Sequence, residues 1–235
     1  YYNLASNGID VNSEIRRTER LKRNQNIEQL SVKEVGNGFG FGPISIPNST
    51  DAPTISNYAK DHHIGEVQIT RNDGARYIYG LPAYNETKVE YTFATEKQST
   101  YDNGLVTYSS QDKSRRNKNG NEYFNKIQTP GYAHTYLLTN VLSADYQDRD
   151  GDGPTQDDFG SYTYFTYKKN TPDPYKWRVP YTKNKATYNE GLNTDNEDDK
   201  ASIVYGEKEI WYTDKVYTKT HVAVFKYSAR KDSRG

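Results

Sequence analysis

The chain of 235 residues contains no cysteine and no methionine, and its 31 basic and 31 acidic side chains cancel to a net charge of zero. Without cysteine it can form neither a disulfide bond nor a thiolate metal site. Balanced charge provides no general basic surface, so we expect no nucleic-acid partner. The apolar runs are too short to cross a bilayer, so we also expect no membrane-spanning segment.

Aliphatic side chains are scarce as well, because hydrophobic residues make up 33% of the chain and 23 residues are tyrosine. Tyrosine must therefore supply much of the core. Its ring suits the half-buried face of a pleated strand, and its hydroxyl needs water or a hydrogen-bond partner. Zero net charge and 14% aromatic residues distinguish this composition from that of disordered chains. We predict a mainly β fold of antiparallel meander or sandwich-like sheets, with long loops and few short helices.

Residues 1–60 have the weakest pattern and are predicted to form an irregular N-terminal arm, which precedes a β-rich domain over 61–235. In that domain, apolar and polar residues alternate over 64–70 and again over 75–79, around the turn sequence Asn72-Asp73-Gly74. This pattern predicts a hairpin. A turn is predicted at 80–85, and two sub-sheets over 61–110 and 131–235 are one possible division. Further strands are predicted at 89–94, 132–142, 161–167, 175–181, 201–205, 209–212 and 220–227.

An acidic stretch between two predicted strands carries aspartate at alternate positions, Asp148, Asp150 and Asp152, followed by Gly153. Alternate carboxylates that converge at a glycine turn form the first half of a calcium loop. We therefore predict a strand-flanked Ca²⁺ site. The alternative is a solvated acidic turn without a metal, because Asp-Gly pairs also favour turns.

The second half of this stretch departs from an EF-hand, because the twelfth loop position is Phe159 where an EF-hand has a bidentate glutamate. We predict that Asp158 supplies the closing carboxylate and that Pro154 contributes its carbonyl oxygen. A second acidic cluster at Asp195, Glu197, Asp198 and Asp199 is interpreted as a solvated loop. Accordingly, Asp150→Ala should abolish calcium binding and Asp195→Ala should leave it nearly unchanged.

No catalytic motif is present in the sequence, and we predict that the protein is not an enzyme. It has no Gly-x-Ser-x-Gly elbow and no His-Glu-x-x-His motif. The four histidines lack metal-ligand spacing; they are His62, His63, His134 and His221. Carboxylates that meet only in the folded chain could still act on a glycoside. A carbohydrate-active or carbohydrate-binding module is therefore an alternative, and it would require exposed rings such as Trp177, Trp211 or several tyrosines on a concave sheet face.

Three segments resemble parts of very large, poorly characterised proteins of Bacteroidota: RYIYGLPAYN at 76–85, DGDGPTQDDFG at 150–160 and YGEKEIWY at 205–212. Those proteins look exported or surface-located, and some have β-rich Rhs/YD-like character. The resemblance implies a fragment of a longer secreted chain, at the cell surface or outside the cell. Its partners would be the rest of that chain, other surface proteins or glycans.

Together these observations favour a non-enzymatic, calcium-stabilised β-rich segment with a structural or adhesive role. Carbohydrate binding or processing is the first alternative. The second alternative is a shell segment of an Rhs-like protein that encloses a toxin.

Overall fold

Strands dominate the computed structural model, which describes residues 26–42, 56–95, 103–169, 171–189 and 199–228. The prediction of a mainly β, antiparallel fold is confirmed. No helix within these ranges is long and apolar enough to span a membrane. The elements are β1 (Ile27–Ser31), α1 (Val32–Gly36), β2 (Ile64–Thr70), β3 (Arg76–Tyr79), β4 (Leu81–Ala94), β5 (Leu105–Thr107), β6 (Phe124–Thr129), β7 (Tyr132–Leu137), β8 (Asn140–Leu142), β9 (Tyr162–Lys169), β10 (Tyr175–Val179), β11 (Lys185–Asn189), β12 (Lys200–Lys208), β13 (Trp211–Thr218) and β14 (Val222–Val224).

The strands form two antiparallel sheets. The first sheet has the order β1-β2-β3-β8-β9-β13-β14, and the second has β5-β11-β12-β4-β6, with β10 beside β12 and β7 beside β4. Each sheet takes strands from both the early and the late part of the chain. The structure is therefore not divided into sub-sheets over 61–110 and 131–235.

The predicted hairpin over 64–79 is confirmed as β2 and β3, which pair from Val67 opposite Tyr79 to Thr70 opposite Arg76. The backbone at Gly74 has a φ of +84°, and a Cβ there would lie 2.8 Å from the Cβ of Ala144. Only glycine suits this turn, because a residue with a side chain is strained at this positive φ and its Cβ would be too close to Ala144.

Part of the segment predicted as an irregular arm is ordered against the first sheet. Strand β1 pairs with β2, and α1 begins with a capping box in which the Ser31 amide donates to the Glu34 carboxylate at 2.8 Å. Reciprocally, the Glu34 amide donates to Ser31 Oγ at 3.2 Å. This pairing of Ser with Glu three residues later satisfies two amides at the helix start, and sequence reasoning overlooked it.

The chain passes from one sheet to the other at Gly80, at Leu138-Thr139, between β9 and β10, and at Glu209-Ile210. A turn was predicted over 80–85, but β4 begins at Leu81 and runs without a turn to Ala94. Gly80 is thus the point where the chain leaves the first sheet. Thr139 Oγ1 accepts a hydrogen bond from the Gly80 amide at 3.2 Å, which replaces a strand partner.

Two pairs of neighbouring strands continue through these crossings. The first pair is β3 with β8, continued as β4 with β7, and the second is β9 with β13, continued as β10 with β12. In the first sheet the two pairs are connected by the pairing of β8 with β9, whereas in the second sheet they are connected by the pairing of β4 with β12. The strand that contacts the other pair in one sheet therefore continues as the strand that does not contact it in the other sheet. At each crossing, backbone groups need new hydrogen-bond partners.

Glu209 supplies such partners at one crossing. Its Oε2 accepts a hydrogen bond from the Tyr84 amide at 3.0 Å, and its Oε1 lies 2.8 Å from Lys169 Nζ. Its own amide donates to the Tyr84 carbonyl at 2.8 Å. One buried side chain thus joins β4, the end of β9 and the link between β12 and β13.

Each sheet carries its own cluster of buried side chains. In the first sheet, Tyr162, Tyr164 and Thr166 share the buried face, as period-two spacing predicts. The Tyr164 ring stacks on that of Tyr217 with centroids 4.4 Å apart. The first cluster is Ile78, Leu142, Tyr146, Tyr162 and Tyr164, and the second is Phe93, Val106, Ala186, Ala201 and Ile203.

We expect Glu209→Ala to lower the free energy of unfolding by about 2–4 kcal/mol, because it leaves the buried Tyr84 amide unpaired and removes the partner of Lys169. The matched control is Glu207→Ala, since Glu207 lies on β12 near the crossing and is 3.7 Å from the exposed Lys176. That exposed pair should contribute less than about 1 kcal/mol. Urea denaturation measures both free energies of unfolding. Equal losses in the two variants would show that Glu209 does not stabilise the crossing.

Candidate functional site

The loop between β8 and β9, residues 143–161, is closed at its base by paired backbone groups. The Ser143 amide donates to the Ser161 carbonyl at 2.9 Å. Further along, Gln147 and Phe159 exchange two amide–carbonyl hydrogen bonds at 3.2 and 3.1 Å. The acidic segment is therefore held between two strands, and no helix precedes it.

Glycines give this loop its shape. Gly151 and Gly153 have φ values of +81° and +90° on either side of Asp152. These left-handed positions turn the chain so that alternate side chains can converge. The sequence predicted the turn at Gly153.

The structure brings Asp148, Asp150 and Asp152 together at the tip of the loop. All three side chains are exposed, and one carboxylate oxygen from each lies within 4.8 Å of the others. The two oxygens of Asp148 also accept hydrogen bonds from the amides of Gly151 at 2.7 Å and Gly153 at 3.0 Å. We call these three carboxylates the aspartate triad.

Asp158 lies inside the loop instead and is only 1% exposed. Its Oδ2 accepts hydrogen bonds from the Tyr146 hydroxyl and the Thr155 amide, both at 2.9 Å, and its Oδ1 accepts one from the Arg149 amide at 3.1 Å. Its carboxylate is not one of the three that converge in the aspartate triad. That Asp158 closes a metal site stays a prediction, as does ligation by the carbonyl of Pro154, a buried residue.

Sequence reasoning missed the internal role of Asp158, because its partner Tyr146 lies twelve residues earlier and no short motif connects them. Tyr146 belongs to the core cluster of the first sheet. Arg76 Nη2 donates to the Tyr146 carbonyl at 3.1 Å. Asp158 therefore fastens the loop to the sheet. Burial and the hydrogen bond to Asp158 raise the pKa of the Tyr146 hydroxyl, which stays a neutral donor.

Within the aspartate triad, the surroundings of Asp152 disfavour its ionised form. Lost hydration, a hydrogen bond with Asp150 and the negative charges of Asp150, Asp148 and Asp157 raise the pKa of Asp152. Neighbouring like charges disfavour the ionised form, whereas a bound cation would favour it.

The donor set of the triad fits a hard cation. Carboxylate oxygens are the ligands that Ca²⁺ prefers, and the triad contains no nitrogen or sulfur donor of the kind that zinc takes. Ca²⁺ binds six to eight oxygens, so three carboxylates would need to be supplemented by further carboxylate oxygens, backbone carbonyls or water. An exposed position leaves space for water ligands.

The described residues among the others singled out from the sequence lie apart from this loop. Residues 195–198 of the second acidic cluster fall outside the described residues, and Asp199 is buried beside β12. Trp177 and Trp211 are both partly buried. Lys169 Nζ lies 5.1 Å from the ring centroid of Trp211, whereas Trp177 lines a groove of the second sheet.

Comparison with known proteins finds no match for this chain among protein families, curated proteins or solved structures. Its function must therefore be argued from its own residues.

Replacing Asp158 should destabilise the loop more than replacing its exposed neighbour Asp157. We expect Asp158→Ala to lower the free energy of unfolding by about 2–4 kcal/mol, because two amides and a buried hydroxyl lose their acceptor. Asp157 accepts from Thr155 Oγ1 at the surface, so Asp157→Ala should lower it by less than about 1 kcal/mol. Urea denaturation, with amide hydrogen exchange at Arg149 and Thr155, distinguishes a global effect from a local one. Unchanged exchange in Asp158→Ala would contradict this assignment.

Proposed function

We propose that this chain is a non-enzymatic, β-rich structural segment of a large secreted or cell-surface protein, and that calcium stabilises its β8–β9 loop. The observation that carries the proposal is the aspartate triad, whose oxygens lie within 4.8 Å of one another at an exposed tip. Three carboxylates that converge in this way favour a divalent cation over a bare turn, because the negative charges beside Asp152 disfavour its ionised form when no cation is present.

A bound ion would act on the sheet through the loop. The triad member Asp148 is followed by Arg149, whose amide donates to Asp158, and Asp158 in turn accepts from Tyr146 in the core. Because the base of the loop is already joined to the first sheet in this way, an ion at the tip would set how rigidly the tip is held relative to that sheet. A structural role follows from this connection, because the ion fixes a corner of the fold and takes part in no reaction.

The extracellular setting rests on the resemblance of segments 76–85, 150–160 and 205–212 to exported proteins of Bacteroidota. An extracellular setting also suits an exposed calcium site with few protein ligands. Extracellular calcium modules bind with dissociation constants of about 10⁻⁴–10⁻³ M, which are too weak for a cytosolic sensor. An adhesive or scaffolding role is compatible with the exposed rings and charges of both sheets.

Calcium titration of the whole chain tests the proposal. We expect calorimetric binding heat and a gain in unfolding free energy of about 1.4 kcal/mol at a free calcium concentration ten times the Kd. Asp150→Ala should abolish both signals. Asp61→Ala is the control, since Asp61 is exposed in the turn before β2 and lies outside the triad. Absence of both signals at millimolar calcium would refute the metal site.

The effect of Asp152→Asn should reverse sign with calcium. A raised folded pKa means that this carboxyl contributes stability only at low pH and loses that contribution as pH rises through the folded value. At pH 7 in EDTA, Asp152→Asn should therefore match or slightly exceed the wild type in melting temperature. In saturating calcium it should melt below the wild type, because a charged ligand is missing. A variant that is less stable by the same amount in both conditions would indicate a purely structural aspartate.

A further inference from the structure

A groove of about 900 Å³ lies on the second sheet, formed by β4, β10, β12 and the segments that follow β5 and β10. It is distinct from the aspartate triad, which belongs to a loop of the first sheet. Its volume lies within the range of small-ligand sites, about 300–1,000 Å³. The lining is rich in aromatic side chains, which include Tyr91, Tyr108, Tyr175, Trp177, Tyr181 and Tyr205.

The floor of the groove is fixed by contacts between neighbouring strands. Tyr205 lies opposite Val89 on one side and Arg178 on the other. Its ring stacks on that of Tyr91, with centroids 6.1 Å apart and planes at 24°. Burial and the hydrogen bond with Tyr91 raise the pKa of Tyr205 to about 12, so the Tyr205 hydroxyl is neutral at physiological pH.

Arg178 is held in place by two hydrogen bonds. Its Nη2 donates to the Tyr108 hydroxyl and to the Lys185 carbonyl, both at 3.2 Å. Its Nε is enclosed and has no hydrogen-bond partner within the described part of the chain. The guanidinium is therefore preorganised by the fold while one of its donors remains unused.

The rim of the groove combines exposed rings with positive charge. Tyr181 is 76% exposed and Tyr175 is 51% exposed. The charged lining residues are four cations, Lys113, Lys176, Arg178 and Lys183, and one carboxylate, Glu207. Because the whole chain has zero net charge, this excess of positive charge is a local property of the groove.

We propose that this groove binds an acidic oligosaccharide of the uronate class. Flat tyrosine rings pack against the C–H faces of sugar rings while their hydroxyls remain able to form hydrogen bonds. The lysines and Arg178 complement carboxylate groups spaced along the sugar chain.

Two other classes of anionic ligand fit less well. Nucleic acid carries a phosphate at every nucleotide and needs a larger basic surface than four cations on a neutral chain. An extended acidic peptide binds best along an open strand edge, where its backbone can pair. The floor of this groove instead presents side chains from the face of β4 and β12, and both of these strands are paired on both sides.

Calorimetry with the whole chain tests the proposal with defined probes. The acidic probes are tetragalacturonate, tetraguluronate and a hyaluronan tetrasaccharide, and the neutral probe is a galactose tetrasaccharide. Hexaglutamate and an oligo-dT of similar charge represent the two competing classes. We expect at least one acidic tetrasaccharide to bind, and to bind more tightly than the neutral sugar, the peptide and the oligonucleotide.

Matched variants assign the binding to the groove. Tyr181→Ala should weaken binding of the acidic sugar by about tenfold or more, which corresponds to one lost contact of about 1.4 kcal/mol. Tyr212→Ala is its control, because Tyr212 is an exposed tyrosine of β13 in the first sheet. Lys183→Gln should also weaken binding, and the exposed Lys226→Gln should not. Both groove positions are exposed, so all four variants should melt at the wild-type temperature.

The proposal is overturned if no acidic tetrasaccharide binds at millimolar concentration. It is equally overturned if the neutral sugar binds as tightly as the acidic ones, or if oligo-dT or hexaglutamate binds more tightly. Equal loss of binding in Tyr212→Ala and Tyr181→Ala would place the site elsewhere. Repeating the titration in EDTA separates this result from calcium binding, because the triad and the groove lie on different sheets.

Discussion

Buried carboxylates hold this fold at the points where its backbone stops pairing as a sheet. Where the chain changes sheets, amides lose strand partners and must find other acceptors. Glu209 accepts from the Tyr84 amide at 3.0 Å at such a crossing. Glu66, which is fully buried, accepts from the amide of Gly42, a residue outside the strands, at 2.7 Å. Thr139 performs the same task for Gly80. The chain can pass between the two sheets because Glu209 and Thr139 act as replacement acceptors.

Tyrosine explains how a chain with few aliphatic residues still forms two cores. In the first sheet, Tyr146, Tyr162, Tyr164 and Tyr217 make successive ring contacts from the β8–β9 loop to β13. Each ring buries apolar area and leaves its hydroxyl to bond or to reach water. Burial raises the pKa of Tyr164 to about 12, so the core stays uncharged at neutral pH. These four tyrosines connect the loop and the sheet in one continuous cluster.

Features set by local spacing were predictable from the sequence, and features set by distant partners were not. Period-two alternation identified β2, β3 and the buried face of β9, and alternate aspartates with glycines identified the triad. The crossing at Gly80 was missed, because Gly80-Leu81-Pro82 has the composition of a turn and its partner Thr139 lies far along the chain. Asp158 was assigned by its position within a calcium motif. Its burial depends on Tyr146, which no motif includes.

The loop therefore contains a buried aspartate and an exposed aspartate triad, which differ in whether the fold itself balances their charge. Asp158 is satisfied within the fold by three hydrogen bonds, so the base of the loop forms without any ion. The aspartate triad at the tip is exposed and self-repelling, and only this part has an unmet electrostatic need. Calcium is accordingly expected to stiffen the tip and leave the base nearly unchanged. This differs from a site whose ligands come together only when the metal binds, where loss of the ion unfolds the domain. Here the hydrogen-bonded core would keep its shape, and the ion would control how rigidly the corner is presented.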